Sequence, residues 1–251
     1  MMAGNKKLHI VHISPNLGAG GAEFLVVGLC EHFVNLGFET TVITLFPPGG
    51  IDVSIALAQK RRLLDAGVRV IHLDKHLGSD PSMIPKLHRL LRDLKPHVVH
   101  THRYVLRYTL LPMLLCRIPV RVHTVHNIAQ KEVDRIGKLV HRFAFRFGGV
   151  VPVSISQEVA NSVKAIYGRD IKSPVIYNGI PVQSFAEALK HQRENSENLV
   201  LLHIGRFAPQ KNYRLLIEVF SLAVKEYPKM YLWLVGDGPL RSQIEELVFR
   251  R

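Results

Sequence analysis

The 251-residue chain has only two cysteines and one tryptophan. Two thiols in a chain this long staple almost nothing, which excludes a disulfide-built fold and suits a reducing compartment. Long apolar runs are missing too. The longest, Phe24 to Cys30 and Val150 to Val153 among them, fall far short of the roughly 20 residues that cross a bilayer. The N-terminal stretch MMAGNKKLHIVHISP has no small-residue cleavage site and reads as cytoplasmic. Acidic residues are scarce, 20 Asp and Glu against 33 Lys and Arg, for a formal charge of +13. The imbalance is concentrated before residue 183, where 23 basic side chains meet 12 acidic ones, whereas 10 meet 8 beyond it. Such a bias suits an anionic partner: nucleic acid, a phosphorylated metabolite or an acidic membrane surface. No helix-turn-helix, finger or RNA-binding signature accompanies the charge, so nucleic acid is not expected.

With 47% hydrophobic residues the chain can bury a core. Its rhythm is that of an α/β fold. Leu8 to Ser14 is a short apolar run, followed by a glycine-rich turn and then by Leu25, Leu29, Phe33 and Leu36 at helical spacing. Gly37 stands at a helix stop before the strand Thr40 to Leu45. The alternation continues with helices near 55–66, 84–94, 106–116, 133–147 and 157–166. Between them lie strands at 68–73, 98–101, 120–125 and 150–153, with a short one at Val175 to Tyr177. This predicts a complete doubly wound, mostly parallel sheet over residues 1–182. The polar stretch 183–198 reads as a linker. The pattern restarts at 199 with two strands (199–204 and 231–235) and two helices (213–225 and 240–251), the first part of a second Rossmann-like domain.

Two motifs carry chemistry. The turn Gly18-Ala19-Gly20-Gly21-Ala22-Glu23 lets backbone N–H groups approach an anion. It is not the dinucleotide fingerprint, which wants a glycine where Glu23 stands and an acidic residue at the end of the second strand, here Thr44-Leu45-Phe46. The second motif, Gly205 to Asn212 (GRFAPQKN), delivers the Arg206 guanidinium at a strand end and the Lys211 ammonium just before a helix, a pair suited to a diphosphate.

With Thr124-Val125-His126-Asn127, Tyr177-Asn178-Gly179-Ile180 and LVGDGPL at Leu234 to Leu240, these motifs stand in an order that resembles the GT-B glycosyltransferases of the GT4 type, from about Leu8 onward. The resemblance implies a nucleotide-sugar donor such as a UDP- or GDP-sugar, held between two Rossmann-like domains. It also implies sugar transfer with retention of configuration and without a required metal, to a saccharide or lipid-linked acceptor, in cell-surface polysaccharide or glycolipid synthesis. Position by position, it puts Arg206 and Lys211 on the diphosphate and His126 against the transferred sugar, the three residues expected to be catalytic. Gly20, Gly21, Asn178 and Gly179 would line the donor, Glu23 would brace the glycine turn, and Gly236 and Gly238 would lie near the nucleoside. The family's paired-glutamate motif (E-x7-E) is not matched by Glu245 and Glu246, so these 251 residues alone are expected to be weakly active or inactive, whereas as a piece of a longer chain they keep the enzyme reading for the parent. The alternative is a catalytically inactive module that binds a nucleotide-sugar or another anion.

Three further features have plainer readings. His100 and His102 alternate on one strand, but with no carboxylate or third ligand at useful spacing no metal site is expected. Lys60-Arg61-Arg62 and the set Arg135, Lys138, Arg142 and Arg146 read as solvated faces of helices whose other sides, Leu63, Leu64, Leu139, Phe143 and Phe147, pack on the core. The sharper reading of these basic faces is contact with anionic lipid at the inner face of a membrane.

Overall fold

A computed structural model describes residues 7–49, 53–180, 182 and 198–249. The chain divides into two compact units, Met1–Val182 and Gln183–Arg251. The predicted linker lies outside the described residues except for Asn198, as do the last two positions of the final predicted helix.

The first unit is built on a six-stranded parallel sheet in the order β3-β2-β1-β4-β5-β6. Its strands are β1 (His9–Ser14), β2 (Glu39–Thr44), β3 (Arg69–His72), β4 (Val98–His102), β5 (Val120–Val125) and β6 (Val150–Ser154). Every residue of β1 is buried, which explains why its sequence reads as a continuous run: a central parallel strand is covered on both faces. Helices α1 (Gly21–Asn35) and α2 (Val53–Asp65) pack on one face through Val26, Val27, Cys30, Ala56 and Leu63. Helices α3 (Met83–Leu94), α4 (Leu106–Leu115), α6 (Arg135–Arg146) and α7 (Gln157–Tyr167) share the larger core with Val11, Ile13, Val99 and Val125. Gly37 and Gly67, each at positive φ, end α1 and α2 as the sequence predicts.

Three local expectations change. Val175 to Tyr177 is not a strand; Val175 makes a single parallel bridge to Ser154. The helix predicted from Val133 is present as α6, starting at Arg135, with its N-cap Asp134 accepting the Gly137 N–H, but an unpredicted four-residue α5 (Ala129–Glu132) precedes it. The basic helices also turn differently. Leu63 is buried, but Leu64, Leu139, Phe143 and Phe147 face outward, and α6 packs instead through Gly137, His141, Ala144 and Phe145. A Cβ on Gly137 would fall 2.7 Å from Val133 Cβ, so that face admits only a residue without a side chain.

The second unit holds the parallel pair β7 (Leu199–Ile204) and β8 (Met230–Val235), with α8 (Tyr213–Glu226) and α9 (Arg241–Phe249). Its small core is Phe207, Tyr213, Ile217 and Ile244. The strands themselves stay open to solvent: Leu199, Val200, Leu201, Leu202, Ile204, Tyr231, Trp233 and Val235 are 41–68% exposed.

Candidate functional site

The order of the first sheet reverses direction between β1 and β4, and in open α/β sheets the crevice at the carboxyl ends of such a pair is where ligands bind. The sequence brings its glycine turn there. Gly20 is the N-cap of α1 in extended backbone, and a Cβ on it would fall 2.2 Å from a carboxylate oxygen of Glu23. Glycine is therefore required by the carboxylate folded over it. Gly21 has open space around its Cα and is exposed. The Gln59 side chain on α2 donates to the Gly18 carbonyl and ties the turn from behind.

Glu23 is almost fully buried, and its partner comes from across the crevice: Arg103, in the 3₁₀ turn Arg103–Val105 after β4, donates from Nη1 to Glu23 Oε1 at 2.7 Å. Arg103 holds a left-handed backbone conformation, φ 58°, with about half its side chain exposed. A non-glycine residue is held there at a cost of roughly 1 kcal/mol or more, and such strain clusters at functional positions.

His126 follows β5. Burial, reinforced by the Arg103 charge, lowers its pKa to about 4, so the ring is neutral at physiological pH. It is a hydrogen-bonding group there, with no proton charge to give. Glu132, on α5, accepts the His126 backbone N–H at 3.3 Å, and burial raises its pKa to about 7 against the opposing pull of that bond and of Arg103. Behind His126 the histidines continue inward: His126 Nε2 lies 3.1 Å from His102 Nδ1, and His102 Nε2 lies 3.2 Å from His12 Nδ1.

The structure thus assembles Gly20, Gly21, Glu23 and His126 around one crevice. Sequence reasoning missed Arg103, Glu132 and His12. Arg103 and Glu132 carry no motif; His12 was legible in principle, because β1 and β4 run parallel with His12 opposite His100. Asn178 and Gly179 lie exposed in an irregular segment after the bridge at Val175.

In the second unit, Arg206 and Lys211 are both exposed beyond the carboxyl end of β7, and neither forms an ion pair among the described residues. Lys211 closes the 3₁₀ turn Pro209–Lys211, and Asn212, at φ 49°, starts α8. Phe207 and Tyr213 stack edge to face at 4.9 Å beneath this loop, and the Tyr213 hydroxyl donates to the Gly205 carbonyl. Gly236 and Gly238 press backbone to backbone against it: a Cβ on Gly236 would fall 2.0 Å from the Gly205 oxygen, and one on Gly238 2.6 Å from the Phe207 oxygen. These two glycines set the shape of the cation-bearing loop.

Comparison with known proteins agrees with both units. The model of Glycosyltransferase Family 4 matches residues 19–184, and that of Glycosyl transferases group 1 matches residues 184–249. An Escherichia coli UDP-Gal:alpha-D-GlcNAc-diphosphoundecaprenol alpha-1,3-galactosyltransferase is 26% identical over 67% of this chain and 48% of its own length. The alpha-monoglucosyldiacylglycerol synthase of Acholeplasma laidlawii is 25% identical over 89% of this chain and 61% of its own. The chain therefore spans about half to three fifths of the length of these curated relatives. The fold of Anabaena HepE, solved with UDP-glucose, superposes with a TM-score of 0.72 at 19% identity, covering 97% of this chain and 66% of that one. With two thirds of its residues matched by the family model, the chain belongs to Glycosyltransferase Family 4.

Proposed function

We propose that this chain carries the donor side of a retaining glycosyltransferase that moves a sugar from a nucleotide-sugar to a saccharide or lipid-linked acceptor, in cell-surface polysaccharide or glycolipid synthesis. The observation that carries the reading is the pair of exposed cations at the end of β7, with no ion-pair partner among the described residues, in a chain whose family transfers sugars. As the sugar–phosphate bond breaks, negative charge grows on the leaving diphosphate. Arg206 and Lys211 would neutralise it, which is transition-state stabilisation with no need for a metal. His126, neutral and half-buried, would hold a sugar hydroxyl. Gly20 and Gly21 offer the α1 N-terminus to the distal phosphate or sugar. Glu23 braces that turn through Arg103. Asn178, Gly179, Gly236 and Gly238 complete the donor contacts.

We also propose that the protein works in the cytoplasm at the inner face of the membrane. No helix among the described residues is long and apolar enough to cross a membrane. The outward face of α6 instead sets Ile136, Leu139, Phe143 and Phe147 beside Arg135, Arg142 and Arg146, an apolar stripe with basic flanks that suits an anionic lipid surface. Two relatives are named for lipid-linked or lipid acceptors.

Calorimetric titration with UDP, GDP, ADP and their sugar derivatives tests the donor site. One nucleotide should bind saturably, and Arg206→Ala and Lys211→Ala should each weaken it by about 10- to 100-fold, the value of a charge-assisted contact of roughly 1.5–3 kcal/mol. Unchanged affinity in both variants would remove the phosphate assignment. Binding that never leads to transfer, with any acceptor supplied, would return the reading to a non-catalytic binding module.

A further inference from the structure

The face of the first sheet that carries α1 holds a cluster outside the donor chemistry. His12 on β1 stands opposite His100 on β4 in the parallel register, and His102 lies two residues on along the same face. The rings pack with centroids 4.2–5.5 Å apart, and one nitrogen from each lies within 4.8 Å of the others. His12 and His102 are fully buried, His100 partly so. No carboxylate belongs to the cluster. This corrects the sequence expectation that His100 and His102 lack a third partner: the missing histidine lies 88 residues upstream and is supplied by strand pairing.

Three features make the cluster more than a packed core. Its hydrogen bonding leaves one ring nitrogen unsatisfied. Whichever way the hydrogen bonds run along His126, His102 and His12, the chain of neutral rings ends on His12 Nε2, which is buried with no hydrogen-bond partner among the described residues. Ser14 Oγ, next on the same face of β1, is buried and unpartnered too. The spacing fits an ion. Tetrahedral zinc with Zn–N bonds of about 2.0–2.1 Å holds its nitrogens roughly 3.3 Å apart, and His12 Nδ1 to His102 Nε2 is 3.2 Å. Outer partners are already in place. His102 Nδ1 points to His126 Nε2 at 3.1 Å, and His100 Nε2 lies 2.7 Å from Thr124 Oγ1, the usual arrangement that orients a ligating imidazole through its other nitrogen. Burial lowers the pKa of all three rings, to about 4 for His12, so each presents the unprotonated form that ligates.

We propose that His12, His100 and His102 bind one divalent transition-metal ion of the zinc class, through His12 Nδ1, His102 Nε2 and a nitrogen of His100. With His100 Nε2 held by Thr124 Oγ1, Nδ1 is the His100 nitrogen left for the ion, and a small tilt of this partly exposed ring draws it in. The ion is structural and is no reactant in sugar transfer. It has one consequence at the crevice: metal on His102 Nε2 leaves the proton on Nδ1, which donates to His126 Nε2 and fixes the His126 tautomer with its own proton on Nδ1.

The test uses tag-free protein stripped with a chelator and titrated with Zn²⁺ by calorimetry and with Co²⁺ by visible absorption. One ion should bind per chain at micromolar affinity or tighter, with the intense d–d bands of a low-coordinate site. His100→Gln should weaken binding at least about 100-fold with an unchanged circular dichroism spectrum, and Thr124→Val, which removes an outer partner, by about 10-fold. His123→Asn, on the opposite face of β5, should leave it unchanged. No saturable binding, or full affinity in His100→Gln, overturns the proposal. If the variants fail to fold, nitrogen-15 spectra of the wild-type histidines decide alone: zinc must shift the ring nitrogens of His12, His100 and His102, and their indifference to zinc overturns it equally.

Discussion

Glu132 gives the clearest test of the crevice electrostatics. Its carboxyl is protonated up to about pH 7 because burial opposes the charge, against an ordinary value of 4.5. That gap is worth at most about 3 kcal/mol, and roughly 2 once partial exposure is allowed for. The sign follows from linkage. Below pH 4.5 the group is protonated folded and unfolded, and its full contribution is present; as pH rises through 7 the folded protein must ionise it in place, and the contribution is lost. The buried histidines act the other way. His12, His126 and His141, each lowered to about 4 by burial, stabilise the fold above about pH 6.5, and that support is lost as pH falls toward 4. Only the difference between wild type and Glu132→Gln isolates Glu132. Glutamine keeps an oxygen to accept the His126 N–H and has no charge to expose. Urea unfolding followed by far-ultraviolet circular dichroism at pH 5 and pH 8 should show the variant gaining about 2 kcal/mol relative to wild type between the two. Parallel profiles would mean that Glu132 is solvated in solution and that the local packing described around His126 is wrong.

Arg103→Ala should destabilise the first unit by about 1–3 kcal/mol, because it strands the buried Glu23 carboxylate; Glu23→Gln in the same chain should restore most of the loss in urea midpoints. Gly236→Ala should cost the second unit about 1–3 kcal/mol through the clash with the Gly205 carbonyl, and Trp233, the only tryptophan, reports that unit by fluorescence; an unshifted transition refutes the close approach. Phe143→Asp with Leu139→Asp, both on outward positions of α6, should abolish sedimentation with anionic vesicles while leaving the melting temperature within a few degrees, and retained sedimentation would discard that face as a lipid contact.

Much of the fold was legible because parallel strands and helices of this kind differ so plainly in period, and because Gly37 and Gly67 mark helix ends with a conformation that few other residues adopt. The glycine turn and the cation pair were legible as motifs. What failed was orientation. On α6 the bulkier apolar residues Leu139, Phe143 and Phe147 suggest the core side, yet the helix buries Gly137, His141, Ala144 and Phe145 instead, with Gly137 close against Val133 and Arg107 of α4. The Glu23–Arg103 pair, 80 residues apart, and the Glu132 contact depend on where turns end, information that no local period carries.

The open strands of the second unit bear on how the protein must be handled. Leucine, valine and isoleucine side chains on both faces of β7, and Tyr231, Trp233 and Val235 on one face of β8, face water, and a parallel pair so wetted is a template for self-association. Sedimentation and scattering should therefore vary with protein concentration, and kosmotropic salts should promote clustering. A heating curve on such material measures how fast molecules stick together as much as how firmly they are folded, so the stability comparisons above belong at low concentration, in urea, where refolding can be checked.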